Sequence, residues 1–135
     1  FLLQSKDPAT FARIDKWPAN VILGTTIETN RDDLCAKASK APPPSKRHAN
    51  LMAINHPTKM VTIEPVMDFD LDTLVGWVSD MAPALVWIGY DSKKCGLQSP
   101  PLDKVRELHW QLSLLQIPVI LKRIPLAVSP TAKKA

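Results

Sequence analysis

Lys6, Glu28, Glu64, Asp91 and Lys122 each stand at or next to the end of a short apolar or β-branched run, and four of the five runs hand over to a segment of helical character. Ammonium and carboxylate groups recurring at such positions could line a binding site, offer hard oxygens to a metal ion, or neutralise one another as structural ion pairs. The runs are Phe1–Lys6, Val21–Glu28, Met60–Glu64, Leu85–Asp91 and Val119–Lys122. Strand-then-helix repetition calls for parallel strands joined by crossover helices, so the fold class expected is α/β. In such sheets ligands gather where the carboxyl ends of the strands meet the following loops.

Side chains alternate across a strand, which decides where the charges point. Val61 and Ile63 share one face, and Thr62 and Glu64 share the other. Val21, Leu23 and Ile27 oppose Gly24, Thr26 and Glu28; Val86 and Ile88 oppose Trp87, Gly89 and Asp91. Gln4 falls with Lys6, and Ile120 with Lys122. If helices cover the apolar face, the charges converge on the other. In an open sheet wound on both sides that second face is also buried, and unpaired charges there are costly. In a barrel it is the lumen, whose upper end accepts polar groups. The pattern therefore predicts half of a (β/α) barrel, a partial TIM barrel. The bland readings are that Glu64, before Pro65, bonds a loop amide, that Asp91 caps a turn with Ser92, and that Lys6 and Lys122 merely neutralise Glu28 and Glu64.

The elements that must carry these residues are marked by punctuation. Asp7 and Pro8 predict a helix over Ala9 to Lys16, broken by Trp17-Pro18. The stretch from Asn30 to Lys40 is polar and partly helical, and Pro42-Pro43-Pro44 holds the chain extended. Ser45 is expected to cap a helix running to about His56, with Ala49, Met52 and Ala53 on one side. Asp70 is expected to cap a helix containing Leu71, Leu74, Val75 and Val78, stopped by Pro83. A last helix over Leu102 to Leu115 should bury Val105, Leu108, Leu112 and Leu115. Residues 1–125 read as the domain, and 126–135 as a loosely ordered tail.

Composition bounds the rest. With 135 residues, 45% hydrophobic and 22% charged, the chain suits one soluble domain. No apolar run approaches the roughly 20 residues of a membrane helix, and no signal pattern opens the chain, so no membrane association and a cytoplasmic location are expected. A chain opening at Phe1 inside a strand-like run reads as trimmed or partial. Seventeen Lys plus Arg against 13 Asp plus Glu give a net charge of +4. The excess lies in Lys46-Arg47, Lys93-Lys94, Lys122-Arg123 and Lys133-Lys134, with no interleaved aromatic residues, which reads as solvated surface rather than a nucleic-acid patch. Cys35 and Cys95 are too far apart for a zinc or iron–sulfur motif and read as reduced thiols. His48, His56 and His109 fall on predicted helices or their ends, no serine sits in a nucleophile elbow, and four glycines make no phosphate cradle. The lysines flanking Glu28, Glu64 and Asp91 argue against a metal cage, so no metal is expected.

Several strings go beyond pattern: Gln4-Ser5-Lys6-Asp7-Pro8, Trp17-Pro18-Ala19-Asn20-Val21, Leu23-Gly24-Thr25-Thr26-Ile27-Glu28-Thr29-Asn30-Arg31, Ala41-Pro42-Pro43 with Arg47, Thr62-Ile63-Glu64-Pro65-Val66-Met67-Asp68-Phe69-Asp70, and Ile88-Gly89 with Asp91-Ser92-Lys93. Together they resemble the carboxyl-terminal half of radical-SAM-type proteins of unknown function found in phage and prophage, distant functional relatives of spore photoproduct lyase. The resemblance runs to about Arg123. It implies S-adenosylmethionine and a four-iron four-sulfur cluster as family cofactors. The three closely spaced cysteines that hold that cluster are not in this sequence, so no cofactor is expected for this chain alone, and no activity unless it is joined to a cluster-binding half. The positions carried over are Lys6, Thr26, Glu28, Asn30, Arg31, Glu64 and Asp91; strand parity adds Lys122. Arg31, with its planar fork, is the candidate contact for a carboxylate or phosphate. Catalytic residues stay unassigned.

Three readings follow. The chain is the substrate- and S-adenosylmethionine-pocket half of a radical-SAM-like protein; or a non-catalytic α/β domain for an anionic or phosphorylated ligand; or a partner-dependent module whose open edges pair with a missing amino-terminal half or with a second copy.

Overall fold

The computed structural model describes residues 1–91 and 97–122. Five strands, β1 (Leu2–Gln4), β2 (Ile22–Thr26), β3 (Lys59–Ile63), β4 (Leu85–Ile88) and β5 (Val119–Leu121), form one sheet in the order of the sequence. Every neighbouring pair is parallel. Between them run a 3-10 helix (Pro8–Arg13) and helices α1 (Asp32–Ala36), α2 (Pro44–Ala53), α3 (Leu71–Met81) and α4 (Leu102–Leu114). Crossovers between parallel strands turn right-handed, so a sheet whose order never reverses keeps its helices on one face. A doubly wound sheet would reverse its order at a switch point. The expected α/β half barrel of βα units is the fold observed.

Burial follows that asymmetry. Leu23, Ile27, Val61, Ile63, Val86 and Ile88 join Leu51, Leu74, Val78, Met81, Val105, Leu108 and Leu112 in one buried cluster. These are the strand positions of one parity and the inner stripes of α2, α3 and α4. The opposite parity is left partly open: Thr62 and Trp87 are half-buried, and Ile120 is 44% exposed. All of β1 is exposed. Among the described residues no helix is long and apolar enough to cross a membrane.

Local chemistry moves several expected boundaries. The helix predicted over Ala9 to Lys16 is instead the shorter 3-10 helix. Helix α2 begins one residue before Ser45 and ends at Ala53 rather than His56. Ser45 is not its cap: Pro43 occupies that position, and the Ser45 N–H and hydroxyl both donate to the Asp32 carboxylate, at 3.0 and 2.5 Å. An acid at the start of α1 thus satisfies the first turn of α2, where partial positive charge accumulates. The buried side of α2 is Pro44, Arg47 and Leu51, whereas Met52 is exposed. Asp7 and Asp70 sit at cap positions, but neither side chain makes a cap bond. Leu115 is 50% exposed because α4 ends before it, and Gln116 turns the chain with φ 60°. Ser92, Lys93, Lys94, Cys95, Arg123 and the tail from residue 126 lie outside the described residues.

Candidate functional site

The register of the ladder lines up the strand tops. Gln4 pairs with Gly24, Thr26 with Thr62, Ile63 with Ile88, and Ile88 with Leu121. Lys6, Glu28, Glu64 and Lys122 extend one or two residues past the last paired positions. Two glycines then decide how side chains lie on the face that, among the described residues, carries no helix. A Cβ on Gly24 would come within 3.2 Å of Gln4 Cγ; its absence lets Gln4 cross β2 and donate from Nε2 to Thr62 Oγ1 on β3. A Cβ on Gly89 would come within 2.8 Å of Glu64 Cδ. Its absence lets Glu64 lie across β4 and meet Lys122, whose Nζ donates to both carboxylate oxygens at 3.1 and 3.3 Å. The same ammonium stands 5.7 Å from the centroid of the Trp87 ring.

Glu28 is held differently. It is 3% exposed, with Lys6 Nζ 2.8 Å from Oε1 and Arg47 NH1 donating to Oε2 at 2.7 Å. Arg47 is fully buried and spreads its fork over three segments: Nε donates to the Pro42 carbonyl, NH1 also to the Thr26 carbonyl, and NH2 to Cys35 Sγ at 3.5 Å. The Cys35 thiol faces the same Glu28 oxygen, Oε2, at 3.7 Å. Burial, and then the Glu28 charge, pushes this thiol above its ordinary value. A thiol held protonated is a poor nucleophile and a poor metal ligand.

A third group lies on the loops. Arg31 donates from Nε and NH2 to the two oxygens of Asp70, at 3.2 and 2.8 Å, and from NH1 to Asp68 at 2.8 Å. Asn30 and Asp70 exchange two further bonds, and Lys104 of α4 reaches Asp68 at 2.7 Å. The Arg31 bond, followed by Asn30, holds the Asp70 carboxyl well below the usual range, and the Lys104 bond does the same for Asp68. Arg31 correspondingly stays charged. Its fork binds carboxylates of its own chain.

The expected residues therefore divide. Lys6 joins Glu28, and Lys122 joins Glu64; Asn30 and Arg31 are tied into the loop network. Thr26 is half-buried at the end of β2 and contributes its carbonyl to Arg47. Asp91 follows β4 and is half-buried. The histidines lie elsewhere: His48 of α2 stacks on Trp77 of α3, with centroids 4.8 Å apart, and His56 Nε2 meets the Val21 carbonyl. Among the described residues no group of three or more His, Cys, Asp or Glu could hold a metal ion. Arg47 and Trp87 are the site residues that pattern reasoning passed over. By pattern alone Arg47 reads as an ordinary exposed helix residue, signalled by its place after the triple proline and among the strings that carry the family resemblance. Trp87 shares parity with Gly89, which placed it on the correct face without a role.

No family model matches the chain, and neither the curated proteins nor the solved structures hold a significantly similar one.

Proposed function

We propose that this chain is the half of a radical-SAM-like (β/α) barrel that completes the pocket for S-adenosylmethionine and a substrate, and that it works in the cytoplasm joined to a cluster-binding half. One observation carries the reading: polar side chains gather at the carboxyl ends of parallel strands, with Gln4 laid over Gly24 to reach Thr62, Glu64 laid over Gly89 to reach Lys122, and Lys6 beside them. The residues present do not fit the cluster itself. Only two cysteines exist, and Cys35 is enclosed by Glu28 and Arg47. S-adenosylmethionine is the radical source in proteins of that kind; here the chain's part is to bind and orient it, with Glu64 as acceptor and Lys6 and Lys122 as donors at the rim. Among the described residues β1 and β5 are the edges of the sheet, and these edges suit further strands that would close the barrel.

The test is a two-dimensional NMR titration of the full chain with S-adenosylmethionine and, separately, with inorganic phosphate. The expected result is that S-adenosylmethionine shifts Thr26, Thr62, Glu64, Trp87 and Lys122, while phosphate does not. No shift, or shifts confined to the helical face, overturns the reading. Phosphate shifting Lys6 and Lys122 while S-adenosylmethionine is silent favours the anion-binding domain instead, for which the exposure of those two ammonium groups speaks.

A further inference from the structure

On the helix-free face, the Lys122 ammonium touches both oxygens of Glu64, at 3.1 and 3.3 Å, and stands over the indole face of Trp87 at 5.7 Å. A carboxylate beside an aromatic face is the combination by which proteins recognise organic cations, because the carboxylate supplies charge and the ring quadrupole adds attraction without competing water. We propose that Glu64 and Trp87 form a subsite for an ammonium or sulfonium group of a ligand, with Lys122 as its resident cation, displaced when the ligand binds. The subsite locates the cationic part of the ligand proposed above, and so rests on the strand-top face being the binding face.

Three features support displacement rather than a fixed ion pair. The Lys122 side chain is 52% exposed against 19% for Glu64, so the cation has a path to water and the carboxylate is the sheltered partner. The Lys122 N–H donates to the Ile88 carbonyl at 2.7 Å, which fixes its backbone and leaves the flexible stem as the moving part. Gly89 keeps Glu64 flat, with the carboxylate lying over the end of β4, the strand that carries Trp87. When Lys122 leaves, a half-buried carboxylate loses its counter-charge, and an incoming cation restores it. The tethered ammonium competes with any ligand at high effective concentration. Removing it should therefore strengthen binding of a cation, whereas a lysine that itself contacts an anionic ligand would weaken binding when removed. The sign of that one effect decides the matter.

The experiment titrates the full chain with trimethylsulfonium chloride, following the Trp87 indole N–H resonance, which is assigned with Trp87→Phe. Wild type is expected to bind weakly, and Lys122→Met several-fold more tightly. Glu64→Gln in the Lys122→Met background should lose at least that gain. Core methyl resonances check that each variant is folded, and Lys122→Gln repeats the measurement should Lys122→Met not fold. Binding that is unchanged or weaker in Lys122→Met, or unaffected by Glu64→Gln, overturns the subsite. The two proposals fail separately. If S-adenosylmethionine is silent while trimethylsulfonium binds Lys122→Met more tightly, the subsite stands and the radical-SAM reading falls. If S-adenosylmethionine shifts the strand tops but trimethylsulfonium is silent in every variant, the reading stands and the subsite falls.

Discussion

Arg47 and Glu28 form an enclosed ion pair 2.7 Å long, with the arginine fully buried and the glutamate side chain 4% exposed. The arginine comes from α2 and the glutamate from just beyond β2, so the pair fastens a helix to a strand top. Three further N–H groups of the arginine go to two carbonyls and a sulfur. A guanidinium with this many acceptors offsets its own desolvation, and Glu28 gains a second cation in Lys6.

Removing one partner of such a pair leaves the other as a buried charge. Arg47→Met should destabilise the fold by about 3–5 kcal/mol. Pairing it with Glu28→Leu should recover much of the loss, since Lys6 can return to water. Urea unfolding of the two variants checks this, and a loss below about 1 kcal/mol for Arg47→Met would mean the pair is not a structural anchor.

The loop network predicts an acid limb. Asp68 and Asp70 ionise at lower pH in the folded chain than in the unfolded one, where a carboxyl titrates near 3.9. Their contribution is complete above that pH and drains away as pH falls through it toward the folded values. Replacing both with asparagine should flatten the dependence of stability on pH below about 4, and salt should weaken the effect because the groups are exposed. Parallel slopes for wild type and variant would remove these residues from the explanation.

Cys35 should be chemically silent in the native chain. In a Cys95→Ser background, Ellman's reagent should label it at a rate that tracks unfolding. Because its folded value is raised, the thiol's contribution is present below about pH 8.5 and lost as pH rises above it. Rapid native labelling would contradict the burial seen around it.

Gly89→Ala should displace Glu64. The new Cβ would lie 2.8 Å from Cδ of that side chain, so either the carboxylate lifts off β4 or the strands part. Overpacking of this kind costs about 1–3 kcal/mol, and lifting Glu64 should also release Lys122. The carboxyl carbon shift of Glu64 reads the displacement directly; an unchanged shift with unchanged stability would show that the notch is not needed.

The sheet was legible because Val61, Ile63, Val86 and Ile88 alternate against Thr62 and Trp87, and two-residue periodicity admits one assignment of faces once helices cover one side. The pairing of Lys6 with Glu28 and of Lys122 with Glu64 was foreseeable as a possibility from parity and charge. What parity cannot convey is reach. Glu64 meets Lys122 only because an intervening residue has no side chain, a property of β4 rather than of either charged strand. Arg47 was hidden for a related reason: on α2 it sits on the inner side with Leu51, where a charged residue contradicts the hydrophobic rule, and tertiary acceptors overrule it. Ser45 misled because an acid from α1 replaced the local cap.

That same substitution has a mechanical consequence for residues 37–43. The chain leaves α1, passes Pro42 and Pro43, and enters α2, with Asp32 gripping Ser45 across the gap and Arg47 gripping the Pro42 carbonyl from within. Prolines have already removed much of the freedom of this stretch in the unfolded chain, so closing it forfeits little entropy. It behaves as a spacer of set length between two helices. Where most surface connections absorb an extra residue readily, a single insertion here would throw both grips out of step, and with them the arginine that holds the top of β2.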